Sequence, residues 1–402
     1  MFNFFSSFGQ TFFISLFVPF WIESFRISNT TFGSMYATVT IISAFLLSFL
    51  GKYIDQMPLK KYGLIVFIGL VISVLMLSQS HNVAVLMVSL LLVRLFGQGL
   101  MTHTSSTGIA KHFDNNRGKA LGFTTLGHPT GQFVLPIIIL ALINFAGWQR
   151  GLIYIAVISA ILVIPALWAI TPVTVFSPDC KPIPGQANKN NTNLFISLKF
   201  WIIALNIFIV PFICTAIFLY QYAIGHSKGW DNRWVSFSFA FFPVFSAMAL
   251  LISGNLVDRF SGIRLFPLYL IPAFAALLIF AIFSYSWVYP ALYALLGFSS
   301  GLGSTIKTAM QVEVYGKKSL GKIRSYFSTI LVLSTALGPP TFGFFIDRLY
   351  PFNKIMLIFA GLLFIIIILS FKLLYYNTKL FSINRIKRLI LFKKPHYLIV
   401  PK

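Results

Sequence analysis

The chain has 402 residues, of which 57% are apolar and only 10% charged, against roughly 25% charged in a soluble domain. Too few charges are present to cover a water-facing surface, so a soluble globular protein is excluded and much of the surface must meet lipid. The formal net charge of +23 does not mark a nucleic-acid binder, because the basic residues fall in short breaks between apolar runs and form no continuous stripe.

Successive apolar runs, each enough to cross ~30 Å at ~1.5 Å per residue, are predicted as transmembrane helices. The first six are Phe4–Ser24, Phe32–Leu50, Tyr62–Leu77, Val83–Ala110, Lys119–Phe145 and Leu152–Ile170. Residues 171–196 follow, with Pro172, Pro178, Pro182, Pro184 and Gly185, a linker composition unable to bury a core. Six further helices are predicted at Leu198–Ile224, Trp234–Ser253, Leu265–Tyr285, Trp287–Val314, Lys322–Ile346 and Ile355–Tyr375. The expected fold is an all-α polytopic membrane protein of twelve transmembrane helices in two six-helix bundles, residues 1–170 and 197–376. A basic tail, 377–402, carries Arg385, Lys387, Arg388, Lys393 and Lys394 among Ile, Leu and Phe, a pattern suited to anionic membrane lipid.

Charge placement orients the chain. With the N-terminus in the cytoplasm, 23 of the 31 Lys and Arg lie in inside segments and 6 in outside loops; Arg94 and Lys307 lie within helices. That bias places both termini in the cytoplasm. No Lys or Arg precedes Arg26, so the first run lacks the basic region of a cleavable signal. Cys180 and Cys214 are too few for a disulfide framework and join no metal-spaced cluster. Neither a Ser-His-Asp set nor a P-loop occurs, so no enzyme, metal or cofactor is expected.

The halves repeat. Gly51-Lys-Tyr-Ile-Asp55 corresponds to Gly254-Asn-Leu-Val-Asp258, Phe96-Gly-Gln-Gly99-Leu100 to Phe298-Ser-Ser-Gly301-Leu302, and Gly118-Lys119 to Gly321-Lys322. All three fall in order at an offset of 202 or 203, which makes the bundles pseudo-symmetric. Duplication of this kind is characteristic of carriers whose halves rock around a midplane site.

These residues resemble the major facilitator superfamily along essentially the whole chain. Gly51-Lys-Tyr-Ile-Asp55-Gln-Met-Pro-Leu-Lys60-Lys61 is similar to its signature between helices 2 and 3, with Pro58 in place of the usual Gly. Arg94-x-x-Gly97-x-Gly99 is similar to its helix 4 motif. Gly122, Gly127, Pro129 and Gly131 resemble its Gly-Pro motif in helix 5, although His128 separates Gly127 from Pro129. The segment from Tyr315 to Gly321 resembles the monocarboxylate and oxalate/formate branch. The resemblance implies a secondary carrier for a small solute. It also implies a conformational latch at the cytoplasmic ends of the helices, formed by Gly51, Asp55, Lys60, Lys61 and Arg117, with Gly254, Asp258 and Arg259 in the second half. The bland alternative is that each aspartate only caps the following helix.

Ionisable groups within a bilayer are functional candidates by default. Arg94 lies 12 residues after Asn82, near the midplane, and shares a helical face with Gln98 and Ser105. His103, nine residues on, faces the other way on an undistorted helix and reads as packing. His128 shares a face with Gln132 and Thr124 and can exchange protons near physiological pH. Lys307 aligns with Ser300, Ser304 and Gln311, while Glu313 lies off that face and is assigned to the latch. Gln10, Thr11, Asn206 and Gln221 are neutral hydrogen-bonding candidates that helix–helix contacts explain equally well. The expected solute site is thus Arg94, Gln98, His128, Gln132, Lys307, Gln10 and Asn206. With cations and no mid-membrane carboxylate, it favours a small organic anion, with protons as a possible co-substrate. A multidrug exporter is the rival reading within transport, and a non-transporting sensor the rival outside it. The expected location is a bacterial inner membrane.

Overall fold

The computed structural model describes residues 1–112, 124, 126–170, 197–316 and 320–391. The linker at 171–196 and Arg117 lie outside the described residues. Those described are overwhelmingly helical and trace twelve successive rods, as the apolar runs predict.

α1 is assembled from four short pieces, Phe2–Phe5, Ser6–Gly9, Thr11–Ile14 and Val18–Phe25. α2 is Asn29–Leu50 and α3 is Leu59–Ser78. α4 is helical over Val83–Val93 and Thr102–His112, with a π-helical stretch at Arg94–Met101 between them. Gly127–Ile170 is one continuous helical run broken only at Gly147, at φ 81 and ψ 165. Glycine reaches that conformation at no steric cost, so the chain folds back there into α5, 127–146, and α6, 148–170. In the second half α7 is Leu198–Leu219 with Gln221–His226, and α8 is Asn232–Phe239 with Phe241–Phe260. α9 runs from Gly262–Leu265 to Ile271–Ile282, α10 is Val288–Tyr315, α11 Leu320–Asp347 and α12 Phe352–Leu391.

Local chemistry sets the ends. Three helices that begin at the end of the bundle away from the chain termini, here the distal end, carry polar N-caps. Ser28 Oγ accepts from Thr31 N at 3.1 Å, Asn82 Oδ1 from Val85 N at 2.8 Å and Asp231 Oδ1 from Trp234 N at 3.0 Å. Each satisfies an amide that the first helical turn leaves without a partner. Apolar side chains such as Phe45, Ile161, Leu251 and Ile365 are exposed on the outer faces, the arrangement lipid requires.

Three elements differ from expectation. α1 is not a continuous helix: Gln10 is extended at φ −86 and ψ 154. The cause is a close crossing, since a Cβ at Gly9 would lie 2.6 Å from the Val93 carbonyl oxygen and 2.9 Å from Gly97 Cα. α4 is distorted at that same crossing, and its π stretch changes the register beyond Arg94. Beyond it Thr102 and Ser106 are exposed, while Ser105, like Arg94, is buried and Gln98 is half-buried. Finally, α12 runs on to Leu391, past the expected helix end and into the segment assigned to the tail.

Candidate functional site

Among the described residues, the apolar stretch of the fourth helix of each half carries one cation, Arg94 or Lys307, and each lies over a tyrosine ring. In the first half the Arg94 guanidinium carbon is 4.5 Å from the Tyr36 ring centroid, and Nη1 donates to the Tyr36 hydroxyl. That hydroxyl shares a hydrogen bond with Thr11 Oγ1 at 2.7 Å, immediately after the α1 break. Arg94 is 1% exposed and its Nε has no hydrogen-bond partner. A buried guanidinium held by one phenol is incompletely compensated.

In the second half Lys307 Nζ is 5.8 Å from the Tyr269 ring centroid. The Tyr269 hydroxyl donates to Asn206 Oδ1 at 2.6 Å. Lys307 is half-buried. Asn206 is fully buried and also donates through Nδ2 to Ser370 Oγ at 2.8 Å. Its acceptor and donor are therefore spent tying α7 to α9 and α12. This corrects the expectation that Asn206 contacts solute: it is a joint within the bundle.

The remaining candidates are not gathered into one cluster. Gln10 and Gln98 are half-buried beside the Gly9–Gly97 crossing. His128 is half-buried and set edge-on to Phe12, centroids 5.9 Å apart, with Gln132 buried one turn on. Phe12 in turn stacks on Phe239 of the other half at 6.1 Å. His103 packs against Gly51, its ring 3.6 Å from where a Cβ would stand.

The halves are joined firmly at the distal end. Asp347, the last residue of α11, accepts from Asn29 N and Nδ2 at 3.0 and 2.9 Å and from Thr30 N and Oγ1 at 2.7 and 2.6 Å. Tyr220 OH donates to the Asn29 carbonyl at 2.7 Å, and Gln221 Nε2 to Ser15 Oγ at 2.9 Å. Nearby, a Cβ at Gly33 would lie 2.7 Å from the Pro339 carbonyl carbon. This carboxylate is the residue that sequence reasoning missed. A signal was present, because an acid at a helix C-terminus opposes its own helix dipole. Such an acid is better placed when it caps another helix, and Ser28-Asn29-Thr30-Thr31 offers the amides.

The expected latch residues lie at the opposite end. Gly51 is buried in a 3-10 turn spanning Gly51–Asp55, Lys60 is half-buried and Lys61 exposed; the Asp55 side chain lies outside the described residues. In the second half Asp258 is exposed in the last turn of α8, and the guanidinium of Arg259, also exposed, lies 5.3 Å from the Phe260 ring centroid. Gly254 has open space around it. Because α8 continues through Asp258 before turning at Ser261, another acid reaches the next helix. Glu313 of α10 accepts from Gly262 N at 2.7 Å and Ile263 N at 2.9 Å. The cap of α9 is thus Glu313, which the sequence assigns to the latch, and the alternative reading of Asp258 as that cap is not met.

Two six-helix halves, a cation on each fourth helix and a helix-capping clamp across the seam are the frame of a carrier. The sequence matches the Major Facilitator Superfamily over residues 1–339 and again over 200–387. The chain belongs to this family. As a member of the superfamily it is a transporter and not an enzyme. The nucleoside transporter NupG has a similar structure, with 12% identity, a TM-score of 0.75 and coverage of 93% of this chain and 97% of that one. A bacterial homologue of the human lysosomal transporter Spinster, in an inward-facing and occupied conformation, is similar at 14% identity and a TM-score of 0.70. That match covers 92% of this chain and 94% of the other. No curated protein sequence matches the chain significantly.

Proposed function

We propose that this transporter carries a small organic anion, such as a monocarboxylate, by alternating access, either coupled to protons or by exchange. The observation that carries the reading is the sign of charge inside the helices. Among the described residues Arg94 and Lys307 are the cations there, and the acids Glu23, Asp231, Asp258, Glu313 and Asp347 stand at helix ends. An anion entering between the halves offsets a charge that Tyr36 alone compensates poorly. Gln10, Gln98, His128 and Gln132 would supply its neutral and protonatable contacts. Asp55, Lys60, Lys61 and Arg117 would form the cytoplasmic latch of the first half.

With both termini in the cytoplasm of a bacterial inner membrane, the distal seal closes the outside, and this conformation faces inward. The test is uptake of labelled monocarboxylates into proteoliposomes, with and without a pH gradient, by wild type and the Arg94→Gln and Lys307→Met variants. Anion uptake lost in either variant supports the reading. Transport of cations only would replace it with drug export. A second reading, an uncharged planar solute, is favoured by the ring group Phe12, His128 and Phe239 and by the similarity to a nucleoside transporter; nucleosides in the same panel test it.

A further inference from the structure

A cavity of about 280 Å³ opens at the distal end between the two halves. Pro19, Ile22 and Glu23 of α1 form one wall, and Leu219, Tyr220 and Tyr222 of α7 the other. Glu23 is exposed, and its carboxylate makes no ion pair or hydrogen bond among the described residues. No lysine or arginine is among the described lining residues; His226 also lines the cavity, with its Nε2 hydrogen-bonded to Asn232 Oδ1 at 2.7 Å. The phenol hydroxyls are engaged elsewhere, Tyr220 with the Asn29 carbonyl and Tyr222 with Ser236 Oγ at 3.2 Å. The two side chains therefore offer the cavity apolar ring surface and not a free donor.

We propose that this seam cavity binds small hydrophobic monoamines as ammonium ions and that the bound amine holds the distal end shut. A carboxylate beside aromatic faces recognises a cation with an apolar tail through ion pairing and cation–π attraction. The volume is just below the usual range for drug-sized ligands, so one ring and a short aminoalkyl chain fit it. An organic anion is repelled by Glu23, so this ligand is not the transported solute. Both halves supply walls, so the site is whole only while the halves are closed. A ligand that binds one conformation alone shifts the equilibrium toward it, and the amine acts as a conformation-locking inhibitor.

The test is titration calorimetry on the full-length protein in lipid nanodiscs with 2-phenylethylammonium, 2-phenylethanol and 3-phenylpropionate. The amine is expected to bind at one site per chain, with the alcohol and acid weaker by about two- to fivefold, the scale of one exposed ion pair. Glu23→Gln is expected to weaken amine binding by about the same factor. Leu219→Trp, which fills the cavity, should abolish binding, and Asp347→Ala should weaken it by loosening the seam. Equal binding of amine and alcohol, undiminished binding in Glu23→Gln, or indifference to Leu219→Trp or Asp347→Ala would overturn the proposal. Failure of every anion to be transported would remove the anion reading and leave these isotherms unchanged.

Discussion

Replacing Asp347 by alanine removes the acceptors for four hydrogen bonds from the first turn of α2, at 3.0, 2.9, 2.7 and 2.6 Å. Loss of a helix N-cap costs ~0.5–2 kcal/mol, and loss of an anion at a helix N-terminus ~0.3–1 kcal/mol. The carboxylate is exposed, so the combined effect is taken as about 2 kcal/mol, or about 30-fold in the ratio of distally open to closed protein. Leu219 is 1% exposed at the seam, so a cysteine there reports opening once Cys180 and Cys214 are replaced. When reclosure outpaces reaction, the rate of labelling tracks the open population. An impermeant maleimide applied to the distal face should therefore react with Leu219→Cys about 30-fold faster in Asp347→Ala. Asp347→Asn keeps an acceptor oxygen but loses the charge, so about fivefold is expected there. An unchanged rate in Asp347→Ala would refute the clamp. So would an equal acceleration by Asp258→Ala, which removes an exposed acid at the other end.

Three further outcomes are expected. Tyr36→Phe strips Arg94 of its acceptor and should cost ~1–3 kcal/mol of stability, read as a lower melting temperature in detergent. Asn206→Leu breaks the α7–α9–α12 joint and should destabilise by about 2 kcal/mol while leaving anion affinity unchanged in equilibrium binding; altered affinity would return Asn206 to the solute site. Gly9→Ala forces a methyl group against Val93 O and Gly97 Cα and should cost ~1–3 kcal/mol by overpacking. Its measure is the monodisperse fraction on size-exclusion chromatography, and a wild-type profile would show that the crossing has slack.

The helix count, the two halves and the carriers of buried charge were legible because they depend on local quantities: apolar run length, loop charge and the presence of Arg94 and Lys307 in apolar surroundings. What was not legible depends on backbones meeting in space. Gly9 looks like any glycine in an apolar run until Gly97 is seen against it, so neither the break at Gln10 nor the π stretch of α4 could be read beforehand. Asn206 and Gln221 were indistinguishable as polar residues on α7. The first proves to tie its own bundle together and the second to bridge to Ser15. Asp258 followed the repeat correctly in sequence, but the repeat does not fix where a helix stops.

The repeat also bears on how the distal mouth opens. At an offset of 203, Asn29 corresponds to Asn232 and Asp347 to Asn144. Asn144 is exposed and carries no charge, and the first turn of α8 already has its cap from the neighbouring Asp231. Among the described residues, the carboxylate clasp between α2 and α11 thus has no twin between α5 and α8. A door fastened along one edge swings from the other. The α5–α8 edge should part first and admit solute from that side, so that a molecule with near-twofold symmetry breathes asymmetrically.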